Sequence, residues 1–168
     1  MRQSIRQIKH FLHNRGYLRN LIFGIEDGLV STGGVLFGVA TATDNRQVIL
    51  ITGVITILVE ASSMGIGSFL TEQAVNDLDN NPRSADDPVR DGLVMFAAYV
   101  LAGMICLLPY LIWGIDKGRY LSVVISLLVL CVIGYLPRSS WRRAVQMVFL
   151  GGFALLIAFV AGELLKNV

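Results

Sequence analysis

Charge is what this sequence has least of. Asp, Glu, Lys and Arg make up 15% of its 168 residues, against 54% apolar residues and a mean hydropathy of +0.64. Soluble domains carry about 25% charged residues, so this balance excludes an ordinary water-soluble fold and points to a single polytopic membrane domain over residues 1–168. Cysteine is nearly absent as well. Cys106 and Cys131 sit inside apolar runs, in no CxxC or Cys/His spacing, which excludes a disulfide framework and a zinc site. Both read as small buried hydrophobes. His10 and His13 have no Cys or Glu beside them and make no metal site. A cleavable signal is not evident, because the chain is charged and helical in pattern for too long before its first apolar segment. With no nucleophile and base pair and no cofactor motif, neither an enzyme, nor a bound cofactor, nor a nucleic-acid partner is expected.

What the chain does contain is a contradiction at residues 22–39, IFGIEDGLVSTGGVLFGV. The stretch is apolar enough to enter a membrane, yet it carries Glu26 and Asp27 side by side. A carboxylate in hydrocarbon is costly, so such residues face a protein interior or a water-filled path.

A bilayer core takes about 20 helical residues, and that ruler predicts an all-α membrane protein with five transmembrane helices at about 21–42, 48–70, 93–115, 120–136 and 144–165. Ahead of them, residues 1–20 place Ile5, Ile8, Phe11 and Leu12 at helical spacing among basic residues, the pattern of an amphipathic helix on the membrane surface. An odd number of spans puts the termini on opposite sides. With the N-terminus in the cytoplasm, Arg2, Arg6, Lys9, Arg15, Arg19, Arg83, Arg90, Arg138, Arg142 and Arg143 fall inside and only Arg46, Lys117, Arg119 and Lys166 outside, a clear positive-inside bias. The expectation is a multi-pass protein of a prokaryotic inner membrane.

The second span carries Glu60, Met64, Ser68 and Glu72 at intervals of four, one stripe on a helix. Gly24xxxGly28 and Gly34xxxGly38 on the first span supply close-approach spacing, so the two spans are expected to pack tightly. Counted from the end where the chain enters, Asp27 is about 9 Å deep and Met64 about 9 to 12 Å. Glu60 lies one turn further in, with Ser31 opposite. Asp27, Glu60 and Met64 thus form a candidate pathway, Ser31 an auxiliary oxygen, and Glu26 and Glu72 cytoplasmic-side charge. Carboxylates with a thioether suit Fe²⁺, Mn²⁺ or Co²⁺ better than Mg²⁺ or Ca²⁺. Because the acids must deprotonate to bind metal, such a path naturally exchanges metal against protons. The same stripe would also serve an uncoupled cation channel, or a non-transporting scaffold whose acids fix helix register.

The segments EDGLVSTGGVLFGVA and VEASSMGIGSFLTEQA resemble the first two membrane helices of the vacuolar iron transporter family, whose pattern reads NDGLVS…G followed by A-x-SM-x-x-G-E/S-Y/F-x-S. The resemblance extends over nearly the whole chain, through Pro109 and Tyr110 of the third span and residues 141–152 of the last. It implies a five-helix homodimer moving Fe²⁺, and often Mn²⁺, out of the cytoplasm in exchange for protons, along a path between the first and second helices of two subunits. Asp27 and Met64 fall on the family's ion-coordinating residues. Glu26 replaces the usual Asn, Ser68 stands where many members have Glu, and Glu60 stands where those members have Ala or Gly. The family's plant members carry a helical metal-collecting domain between the second and third helices; here 17 residues, QAVNDLDNNPRSADDPV, fill that gap.

Overall fold

The computed structural model describes residues 15–78, 87–136 and 139–166. No strand occurs among the described residues. The chain runs through α1 (Arg15–Asp27), a π-helical segment (Gly28–Thr32), α2 (Gly33–Ala42), α3 (Arg46–Leu78), α4 (Pro88–Tyr135) and α5 (Trp141–Leu165). With α1, the π segment and α2 forming one rod over Gly16–Ala42, the described residues contain four helices long and apolar enough to cross a membrane. The surface helix expected over 1–20 lies outside the described residues up to position 14. Residues 15–20 are the opening turns of α1.

Local chemistry sets the boundaries. Asn45 Oδ1 accepts from the backbone N–H groups of Gln47 and Val48 at 3.0 and 3.3 Å and so caps α3. Asp87 does the same for α4, accepting from Val89 and Arg90 at 3.1 and 3.3 Å, with Pro88 in the first turn where its missing N–H is harmless.

α4 has 48 residues, about 72 Å of helix, more than two crossings of a core about 30 Å thick. It is broken at Gly114, whose φ of 75° and ψ of −166° are non-helical and open essentially to glycine alone. The two arms, 88–113 and 115–135, fold back on each other. Ser122 donates to the Cys106 carbonyl at 2.8 Å, and the Cys106 thiol lies 3.3 Å from the Ser126 hydroxyl. The expected third and fourth spans are therefore the arms of one hairpin, and the polar stretch after Gly114 remains helical. Arg46 closes the turn from α3 by donating to the Leu111 carbonyl at 2.6 Å.

α4 is the centre of the bundle and packs against every other helix. Its core partners include Leu29, Leu36, Ile49 and Ile57, around Cys106, Leu107 and Tyr110. The outside is apolar, with Leu58, Leu93, Leu101, Leu128 and Phe149 exposed, as hydrocarbon solvent requires.

The packing of the first and second spans is uneven: α1 barely touches α3, and it is the π segment and α2 that meet it, with the Leu36 side chain against Gly53. Gly24 and Gly28 serve α4 instead, since a methyl group at Gly24 would lie 2.9 Å from the Ala98 Cβ and one at Gly28 2.8 Å from the Ala102 Cβ. Gly38 likewise meets Ala158 of α5. Small-residue spacing allows close approach but does not choose the neighbour.

Candidate functional site

Where α1 and α3 part, they leave a groove of about 780 Å³ with α4 as its floor. Its lining includes Arg19, Asn20 and Glu26 from the first rod, Met64 and Ser68 from α3, and Met95 from α4. A carboxylate and two thioethers thus border one space, the mixed donor set that suits borderline transition metals. Met95 lies on the third expected span, outside the pattern read from the first two. It is 3% exposed, and its sulfur lies beside Gly24.

Asp27 is not among the groove's lining residues. Consecutive residues on a helix point about 100° apart, so Glu26 can border the groove while Asp27, half-buried, faces away from it. Asp27 lies within electrostatic reach of Glu60 on α3. The sequence set therefore divides in two. Glu26 and Met64 share the groove; Asp27, Ser31 and Glu60 share an inner polar cluster.

The inner cluster gains two members that the sequence pattern missed. Tyr99 of α4 is fully buried, with its hydroxyl beside Ser31 and Thr32 and in electrostatic reach of Asp27 and Glu60. That hydroxyl makes no hydrogen bond of good geometry, nor does that of Thr32, itself 0% exposed. The π segment helps to explain the arrangement. Gly28–Thr32 directly follows Asp27, and one wide turn there shifts the facing of every later residue, so Thr32 as well as Ser31 comes next to Tyr99. Single-turn π segments inside α-helices are frequent at functional sites. The Cys106 thiol donates to the Leu29 carbonyl within it at 3.6 Å.

Glu60 enters this cluster from α3 while itself remaining exposed. Glu72, read as cytoplasmic-side charge, is buried and paired with Arg19. Among the described residues, no three His, Cys, Asp or Glu side chains come together to hold a metal ion.

The helices that carry these acids are long and apolar enough to cross a membrane. The VIT family model matches residues 18–86 and 73–163. The chain belongs to the VIT family. It is 27% identical over 177 aligned residues to vacuolar iron transporter homolog 2 of Oryza sativa subsp. japonica, covering 90% of this chain and 92% of that protein. Vacuolar iron transporter 1 of Arabidopsis thaliana is 25% identical, with 95% of this chain and 90% of the relative aligned. Arabidopsis thaliana vacuolar iron transporter homolog 2 is 24% identical over 85% of this chain and 81% of its own length. Membership makes the chain a multi-pass integral membrane transporter rather than an enzyme.

Proposed function

We propose that the protein exports Fe²⁺, and Mn²⁺ as a second cargo, from the cytoplasm in exchange for protons, and that it does so as a homodimer. The observation that carries this reading is the placement of Asp27 and Glu60, two acids on different membrane helices within electrostatic reach of each other, next to a groove bordered by Glu26 and Met64. Isolated intramembrane acids are expensive and mark ion pathways.

The ion reaches the groove first, where Glu26 and the Met64 thioether draw water from it. It then passes across the α1 face to Asp27 and Glu60, with Ser31 as a further oxygen. Both acids must be ionised to hold it, so protons arriving from the opposite side displace the metal and reset the site. The positive-inside bias supports a cytoplasmic N-terminus, and the hairpin at Gly114 supports five crossings, with α4 making two. Exposure of Glu60 on the single chain supports the dimer: a carboxylate facing lipid is costly, and a second copy meeting the first along the first two spans covers it.

Reconstitution into liposomes with a metal-sensitive dye and a pH dye tests the reading. Added Fe²⁺ or Mn²⁺ drives metal uptake with opposite proton movement, and Asp27→Asn or Met64→Ala abolishes both. Metal flux without proton movement would instead identify an uncoupled channel, and the absence of either flux a scaffold.

A further inference from the structure

Between α1 and α3, which otherwise barely touch, one charged contact crosses the gap: the Arg19 guanidinium donates to the Glu72 carboxylate. Its two halves are held very differently. The Glu72 side chain is 7% exposed and that of Arg19 62%. A carboxylate shut away from water needs a cation or hydrogen bonds to offset its lost hydration. A guanidinium with most of its surface in water gives up little by leaving. The pair therefore has a fixed anion and a replaceable cation.

The contact adjoins the groove, whose lining includes Thr71, the neighbour of Glu72. Arg19 is itself a lining residue, and next to it Asn20 is 3% exposed with an amide nitrogen that has no hydrogen-bond partner. Further along the same lining, the Ser68 hydroxyl is also buried and unpartnered. Unpartnered buried dipoles of this kind are rare and call for an occupant.

We propose that Glu72 and Asn20 form an intake site for a divalent transition-metal ion, and that Arg19 is a tethered competitor occupying the carboxylate until the metal displaces it. The proposal rests on the transport reading above. An arriving M²⁺ replaces one positive charge by two beside the buried carboxylate. A half-turn of the Asn20 amide presents its oxygen rather than its nitrogen. The guanidinium swings out into water, where most of its surface already lies. From Glu72 the ion continues past Ser68 to Glu26 and Met64. In effect, Arg19 sets the metal concentration at which the groove begins to fill.

The test uses the full chain with Mn²⁺ alone, in liposomes for flux and in detergent for binding, the latter followed by loss of the free-Mn²⁺ electron paramagnetic resonance signal. Arg19→Gln lowers the half-saturating Mn²⁺ concentration about two- to fivefold in both assays, the range a partly exposed ion pair supplies. Arg19→Lys, which keeps a cation, stays near the parent, and Arg19→Gln with Glu72→Gln loses the gain. Because Arg19→Gln leaves a buried acid unpaired, its fold is followed separately: Mn²⁺ raises its melting temperature more than the parent's. An unchanged or higher half-saturating concentration for Arg19→Gln, in a protein whose parent form moves Mn²⁺, overturns this inference and leaves the transport reading standing. A parent protein that neither binds nor moves Mn²⁺ overturns both.

Discussion

Gly28 lies directly against the backbone of Tyr99: a methyl group in place of its hydrogen would sit 2.9 Å from the Tyr99 carbonyl oxygen and 2.8 Å from the Ala102 Cβ. This contact joins the residue after Asp27 to the helix that carries the inner hydroxyl, so the spacing of the polar cluster depends on glycine. Gly28→Val is expected to cost about 1–3 kcal/mol through overpacking. Melting of the purified protein in detergent, followed by size-exclusion chromatography after heating, reads the loss. A melting temperature equal to the parent's would mean that the two helices are free to separate.

The buried hydroxyl of Tyr99, beside those of Ser31 and Thr32 but without good hydrogen-bond geometry to either, makes Tyr99→Phe informative in two directions. Burying a hydroxyl without a hydrogen bond is unfavourable by about 1–3 kcal/mol, so the variant is expected to be at least as stable as the parent. Transport is expected to fall, because the phenol stands beside Ser31, Thr32 and the two acids, where it can hydrogen-bond a passing hydrated ion. Stability and flux measured on one preparation separate a pathway role from a packing role; intact flux would assign Tyr99 to packing alone.

Gly114→Ala addresses the hairpin. At φ 75° and ψ −166° a Cβ is strained by about 1–3 kcal/mol, although nothing lies within 4 Å of where it would be. The effect is therefore conformational rather than steric, and a lower melting temperature is expected. Arg46→Gln, which removes the donor to the Leu111 carbonyl, should weaken the same turn. If Gly114→Ala melts with the parent, the backbone there is not held at positive φ.

Particular residues show what the chain reveals in advance and what it conceals. Glu26 and Asp27 stand out in any hydropathy window, because an acid within an apolar run needs an explanation whatever the fold. The polar stretch from Gly114 likewise marks the hairpin. Gly24 and Gly28 reveal a small face, but only three-dimensional packing assigns that face to Ala98 and Ala102 rather than to the second span. A π turn leaves no trace in a 3.6-residue period, so the sequence singles out Ser31 and passes over Thr32. Arg19 and Glu72 are separated by 53 positions, and neither charge identifies the other until α1 and α3 are placed.

The last prediction concerns Glu60 and Ser68, two turns apart on α3. Read as a stripe, they are interchangeable positions for one acid that has moved along a helix face. In the fold they border different spaces: Ser68 lines the groove with Glu26 and Met64, whereas Glu60 acts on Asp27. Eight residues of helix separate them by about 12 Å. Glu60→Ala is expected to reduce transport by about tenfold or more, given that removing even a group that only orients a metal ligand costs 10–100-fold. Adding Ser68→Glu should then raise Mn²⁺ binding in the groove, where a second carboxylate joins Glu26, without restoring flux, because the ion still meets only one acid beyond the groove. Binding and liposome flux of the double variant, measured against Glu60→Ala, decide the matter. Restored flux would mean that groove and inner cluster are one continuous site, and that an acid at either position of α3 serves it equally.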